Sequence, residues 1–287
     1  MSAYALWFTE QINARPSLTL SHRDSLRTLA RAIPLIFKLR ESGVLTAIPS
    51  NRLIEALPRR ERNSILGRCE RVELVLGTIL CEPGKRLKHA YFPLTGFISL
   101  VEKVDGHPPL EMGLIGDEGM LGATLALGIN SVPQRGVVQG GGSALRMTTA
   151  RLRHDLRNTP SLLRALNRYL YVILAQLSKS AACTRFHEVE ARLARWLLMT
   201  HDRAHADHFH LTHRSLADML GVQRSAVTIA AGALQRRKLI RYSRGQIRVV
   251  NRRGLEAASC ECYRAVVEDY TELFAWQPAL GGLPPAA

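Results

Sequence analysis

Arg224, Ser225, Thr228 and Ile229 stand in the opening turns of an apolar-periodic stretch that starts near Gln223 and runs through Leu234 toward Lys238. An arginine in the first turn of a helix laid in a major groove forks onto the O6 and N7 of guanine, while its neighbours touch adjacent base edges. Chemistry of this kind needs a helix held at a fixed angle, and the residues just before it are typed for that hold. Counting His213 as the first position, the fifth is Ala217, the ninth Gly221 and the fifteenth Val227. Two helices crossing near a right angle admit only a small side chain, which suits Ala217, and Gly221 supplies the positive φ of the turn. Leu216, Leu220, Val222, Val227 and Ala230 cover the inner faces at helical spacing. The pattern predicts a helix-turn-helix.

Past Leu239 and Ile240, the run Arg241 to Val250 alternates around Arg244 and Gly245, as a β-hairpin wing does. From Leu211 to Arg253 the basic residues are Arg214, Arg224, Arg236, Arg237, Lys238, Arg241, Arg244, Arg248, Arg252 and Arg253, against the single acid Asp218. Charge of that sign, on a groove-reading motif, predicts phosphate contact as well as base contact. The expected DNA-contact set is Arg214, Gln223, Arg224, Ser225, Thr228, Ile229, Arg236 and Arg244.

Composition points the same way. The 287 residues carry a formal net charge of +15, and the sequence pI is about 10.3. That favours polyanionic partners and says nothing of fold. No apolar run reaches a bilayer's thickness and the N-terminus lacks a secretory pattern, so a cytoplasmic protein without a membrane partner is expected. Catalysis is not expected: no nucleophile stands with a base, and there is no phosphate loop or tight metal triad.

No metal site is assigned from sequence. Cys69, Cys81, Cys183, Cys260 and Cys262 are scattered and read as reduced thiols, with the Cys260-x-Cys262 pair read as two small residues near a helix. His201, His205, His208, His210 and His213, with Asp202 and Asp207, read as a solvated polar hinge between helical regions, although His201 and His205 lie one helical turn apart.

Other elements must carry and space the reading helix. From about Arg71 to Met147 short apolar runs recur between glycines and prolines: Val72 to Leu76, Thr78 to Leu80, His89 to Phe92, Phe97 to Val101, Leu110 to Ile115, Val137 to Gln139 and Ala144 to Met147. These predict an antiparallel jelly-roll barrel able to enclose a ligand, with Gly140-Gly-Gly142 as a flexible turn. Pro160 opens a long helix whose Leu163, Leu166, Leu170, Ile173 and Leu177 form a heptad seam, predicting a homodimer with two reading helices one turn of DNA apart. A second helix, Glu188 to Met199, leads into the DNA module. The class is α+β, divided as 1–48 extension, 49–158 β-barrel, 159–182 dimerisation helix, 183–263 winged helix-turn-helix and 264–287 tail. Within the extension, Leu26, Leu29, Ile33, Ile36, Phe37 and Leu39 form a mildly amphipathic stretch interrupted by Pro34.

This order of parts resembles the Crp/Fnr family of bacterial transcription regulators, over about Asn51 to Tyr263. The resemblance rests on Leu211 to Thr228 with Leu234 and Leu239-Ile240, and more weakly on Glu82-Pro-Gly84, Tyr91-Phe-Pro93 and Gly116-Asp-Glu-Gly-Met-Leu-Gly122. It implies a cyclic-nucleotide-binding-like barrel that senses a signal, a palindromic operator in double-stranded DNA, and RNA polymerase as a partner. Cyclic-nucleotide-binding members carry Gly-Glu-Leu and Arg-Ser or Arg-Ala. Here Glu118 precedes Gly119 and Arg135 precedes Gly136, so the cassette is degenerate, with Glu118 and Arg135 left as the candidate ligand contacts. The N-terminal cysteine run that holds an iron–sulfur cluster in oxygen-sensing members is missing, so no such cluster is expected. Gln223 replaces the family's frequent serine at the reading-helix start, and Ser225 its frequent glutamate. The alternative reading is a small-ligand sensor whose output is not transcriptional.

Overall fold

The computed structural model describes residues 49–275, apart from His205, Asp207 and the side chain of His208. The stretch expected as an extension, residues 1–48, and residues 276–287 of the expected tail lie outside the described residues.

Two short helices open the described chain, α1 (Arg52–Glu55) and α2 (Arg59–Leu66). Buried Asn51 caps α1 by accepting from the Ile54 N–H, and its Nδ2 donates to the carbonyls of Pro93 and Gly119 at 3.0 and 2.8 Å. One side chain thus ties the helix start to the backbone at Pro93 and at Gly119.

The β domain is antiparallel, of jelly-roll type as expected. Its strands are β1 (Glu70–Leu74), β2 (Ile79–Cys81), β3 (His89–Glu102), β4 (Leu110–Ile115) and β5 (Arg135–Thr148), in the order β1-β5-β3-β4 with β2 also on β5. A 3₁₀ turn, Ala123–Leu127, closes one end over the core.

Two expected breaks are absent. His89 to Phe92 and Phe97 to Val101 belong to the single strand β3, and Val137 to Gln139 and Ala144 to Met147 to the single strand β5. Pro93 and Gly96 sit at register shifts within the β3·β5 ladder, so Gly140-Gly-Gly142 is paired strand and not a flexible turn. A Cβ on Gly140 would lie 2.4 Å from the Phe97 ring, and one on Gly142 would lie 2.3 Å from the Thr95 carbonyl oxygen. The glycines therefore permit two coiled strands to approach across a bulge.

Helix α3 (Thr149–Asn158) is capped by the Thr148 side chain and leads to α4 (Pro160–Phe186), which has proline in its first turn. α4 packs on the 3₁₀ turn, β4 and α3 through Leu162, Leu166, Tyr169, Val172 and Gln176. The expected seam is thereby corrected. Leu166 is fully buried within its own chain, Leu163, Leu170, Ile173 and Leu177 are half-buried, and the exposed large apolar side chains are Tyr171 (70%), Leu174 (62%) and, at the helix end, Phe186 (74%). The free stripe is rotated because the β domain claims the face through Leu166.

The remaining chain comprises α5 (Val189–Ala204), β6 (His208–His210), α6 (His213–Leu220), α7 (Arg224–Arg236), β7 (Ile240–Ser243), β8 (Gln246–Val249), α8 (Arg252–Ala258) and α9 (Cys262–Ala275). Residues 264–275, expected as tail, belong to α9, which packs along α4. Lys179 meets Asp269 at 2.5 Å, the Tyr270 hydroxyl donates to Gln176 Oε1 at 3.3 Å, and Arg168 donates to the Glu272 carbonyl. Among the described residues no helix is long and apolar enough to cross a membrane.

Candidate nucleic-acid interface

The turn between α6 and α7 forms as its residue types require. Thr212 caps α6 through the Ser215 N–H, and Gly221 ends it at φ 63°, a left-handed conformation that costs glycine little. Leu216, Ala217, Val227, Ala230 and Leu234 are buried at the helix crossing, with Ala217 at 2% exposure. β7 and β8 make the expected wing, and β6, beyond expectation, pairs with β8 as a third strand. Arg244 at φ 50° and Gly245 at φ 77° make the wing's tip.

All eight expected DNA-contact residues lie on the surface of this unit. Arg214 stands exposed on α6 and reaches Asp218 at 3.4 Å, an i,i+4 contact worth little in water. Gln223 caps α7 without a side-chain hydrogen bond, leaving its first N–H groups for another acceptor at a cost of about 1 kcal/mol relative to a serine. Arg224, Ser225, Thr228 and Ile229 follow on one exposed face, Ile229 at 70%, while Arg236 lies in the last turn and Arg244 on the wing.

Sequence reading missed how this face is fixed. The His213 ring stacks on Tyr242 of the wing at 4.2 Å, and its Nδ1 lies 3.0 Å from the Thr228 hydroxyl, which donates to the Arg224 carbonyl. Burial, with Arg224 nearby, holds the His213 pKa below its usual value, so the imidazole is neutral at pH 7. The Tyr242 N–H donates to Gln235 Oε1 at 2.6 Å. First helix, reading helix and wing are thus joined through His213, Tyr242 and Gln235.

The first turn of α7 also borders a cleft of about 840 Å³, whose other wall is the β3–β4 hairpin with Val104, Pro108 and Leu110. A Cβ at Gly221 would sit 2.8 Å from Leu110. Deeper in the same contact, Trp196 Nε1 of α5 donates to Glu111 Oε1 at 2.6 Å, and Ser99 donates to Glu111 Oε2 at 2.7 Å.

Burial pushes the Glu111 carboxyl up to about 7, against the hydrogen bonds that favour its charged form. The folded chain therefore holds a proton that the unfolded chain has lost, between about pH 4.5 and 7. Stability from this group is present below its unfolded pKa and is lost as pH rises through the folded one, on the order of 3 kcal/mol. Glu111→Gln keeps an acceptor for Trp196 and removes the titration. Thermal melts at about pH 5 and pH 8 should show a fall of several degrees for the parent chain that the variant lacks.

The two candidate ligand contacts are both committed within the chain. Glu118, expected to face a ligand, is buried, accepts the Gly116 N–H, and pairs with Arg203 of α5 at 2.7 Å. Arg135 donates to Glu82 at 2.9 Å. The Gly116-to-Gly119 turn serves helix docking: a Cβ on Gly116 would strike Arg203 and the Glu118 carboxylate, and one on Gly119 the Tyr169 hydroxyl of α4. Of the histidine-rich hinge, His201 Nδ1 faces Arg252 at 2.7 Å, while His205, Asp207 and the side chain of His208 lie outside the described residues.

Comparison with known proteins agrees with this geometry. Residues 191–258 match the family model for a Crp-like helix-turn-helix domain. No curated protein matches the sequence. Among solved structures, the c-di-GMP-responsive global regulator CLP of Xanthomonas campestris is 18% identical with a TM-score of 0.55, over 67% of this chain and 99% of that one. FixK2 of Bradyrhizobium japonicum is 16% identical with a TM-score of 0.55, over 67% and 98%. A protein assigned to the Crp/Fnr family of transcriptional regulators, from Eubacterium rectale, is 15% identical with a TM-score of 0.57, over 72% and 96%. By this likeness the chain has the fold of the Crp/Fnr transcription regulators, and its residues 191–258 form a Crp-like helix-turn-helix domain.

Proposed function

We propose that this chain is a sequence-specific DNA-binding transcription regulator that acts as a homodimer on a palindromic operator, with the β domain as the part that receives a signal. The observation that carries the reading is the exposed face of α7: Arg224, Ser225, Thr228 and a solvent-exposed Ile229, flanked by basic residues of α6 and the wing. A monomer gains nothing from leaving Ile229 in water, whereas a thymine methyl in a major groove gives it a partner. Tyr171 and Leu174, exposed between half-buried leucines on α4, support pairing with a second copy, which sets two reading helices at half-site spacing. The contacts of Leu110 and Glu111 with the winged unit give the β domain a direct route to bias the reading helix. RNA polymerase as a partner is part of the same proposal, on the strength of the family resemblance.

Selection of bound sequences from random duplexes tests the reading, and should return an inverted repeat. On that site Arg224→Ala should cost about 1–3 kcal/mol and relax preference at one position of each half-site, while Arg244→Ala should weaken all sequences alike. Equal loss on every sequence for Arg224→Ala removes it from base readout.

A further inference from the structure

The geometry points to a structural metal site, a tetrahedral zinc centre of Cys183, His187, Cys260 and Cys262, where the long helix meets the C-terminal helices. The four ligand atoms, three sulfurs and one imidazole nitrogen, all lie within 4.8 Å of one another. Cys183 Sγ is 3.5 Å from Cys260 Sγ, and Cys262 Sγ is 3.6 Å from His187 Nδ1. Ligands about 2.3 Å from a common tetrahedral centre are about 3.8 Å apart, so these separations match the edges of a metal's first coordination sphere. They are far from the roughly 2.05 Å of a disulfide.

The surroundings fit the same centre. The three sulfurs are buried together in a cluster of their own, and among the described residues Ala191 is the one partly buried apolar side chain packed against it. The His187 Nε2 faces Glu261 Oε1 at 3.0 Å, which leaves Nδ1 for the cluster and supplies the carboxylate that orients a metal-bound imidazole. His187 is partly exposed, giving a path of entry. Thiolate and imidazole donors select zinc over hard cations such as magnesium and calcium.

Charge also balances. Zn²⁺ binding displaces the protons of the cysteine thiols and leaves a centre of net charge −1. Arg192 and Arg195 lie close enough to feel the sulfurs' charge, and Arg195 Nε has no hydrogen-bond partner among the described residues.

The pattern escapes sequence search because its halves are far apart. Cys183 and His187 are four residues apart where α4 ends, whereas Cys260 and Cys262 flank the start of α9. A metal here would cross-link the end of α4 to the α8–α9 connection, at the point from which α5 enters the winged unit.

Metal content and cobalt spectroscopy of the full chain, purified under reductant without a histidine tag, test the site. One zinc per chain is expected, and cobalt(II) added to the chelator-stripped chain should give the visible bands and thiolate charge-transfer bands of tetrahedral sulfur coordination. Cys260→Ser with Cys262→Ser should abolish both, and Glu261→Gln should weaken zinc affinity about 10- to 100-fold. The cobalt titration uses the parent chain and so does not depend on the variants folding. Absence of stoichiometric metal and of the cobalt spectrum in the reduced chain overturns the site. So does zinc retained by the double serine variant, or a Cys183–Cys260 disulfide found by peptide mapping of metal-free protein from cells.

Discussion

Replacing Arg203 with methionine should destabilise the chain by about 3–5 kcal/mol, because it leaves the buried Glu118 carboxylate without its cationic partner. The two side chains are about 5% and 6% exposed and 2.7 Å apart. Arg203 also donates to the Met199 carbonyl at 2.9 Å, and the Gly116 N–H donates to Glu118. Burial alone lowers the guanidinium's pKa, yet the carboxylate beside it more than offsets this and the net shift is upward, so Arg203 keeps its charge inside the fold.

The double replacement Arg203→Met with Glu118→Met should be much less destabilised than either single change, since no uncompensated charge then remains. Urea unfolding followed by tryptophan fluorescence gives all four corners of that cycle. A loss under about 1 kcal/mol for Arg203→Met alone would show the carboxylate to be solvated, and would remove this pair as the tie between α5 and the β domain.

The reading end of the molecule was legible in sequence because its constraints are local. Ala217, Gly221 and Val227 are fixed by a helix crossing that spans only fifteen residues, and each stands in the structure where its size and backbone freedom are needed. The Arg244-Gly245 turn is local for the same reason. Strand boundaries in the β domain were legible only in part. Pro93, Gly96 and Gly140 to Gly142 look like turn residues along the chain, and only pairing across β3 and β5 reveals them as bulges that remove side chains from a crowded crossing.

The rest depended on contacts between residues far apart. Glu118 resembles a ligand carboxylate in its local motif, and its partner Arg203 lies 85 residues further on. Leu166 belongs to a heptad by spacing, yet β4 and the 3₁₀ turn bury it within its own chain. Cys183 and Cys260 are separated by 77 residues. In each case tertiary packing, and not the local pattern, decided which side chains were left free.

The largest change of all is expected in DNA affinity as salt is raised. Each subunit exposes Arg214, Arg224, Arg236 and Arg244 around the reading helix and wing, so a dimer neutralising six or more phosphates should lose about 10³-fold or more in affinity between roughly 50 and 200 mM salt. On the duplex recovered by selection, a titration of binding against salt with stoichiometry measured in parallel tests the central claim. Two chains per duplex and a steep, linear fall of log affinity with log salt are expected; one chain per duplex, or an affinity indifferent to salt, would overturn binding as a phosphate-neutralising dimer.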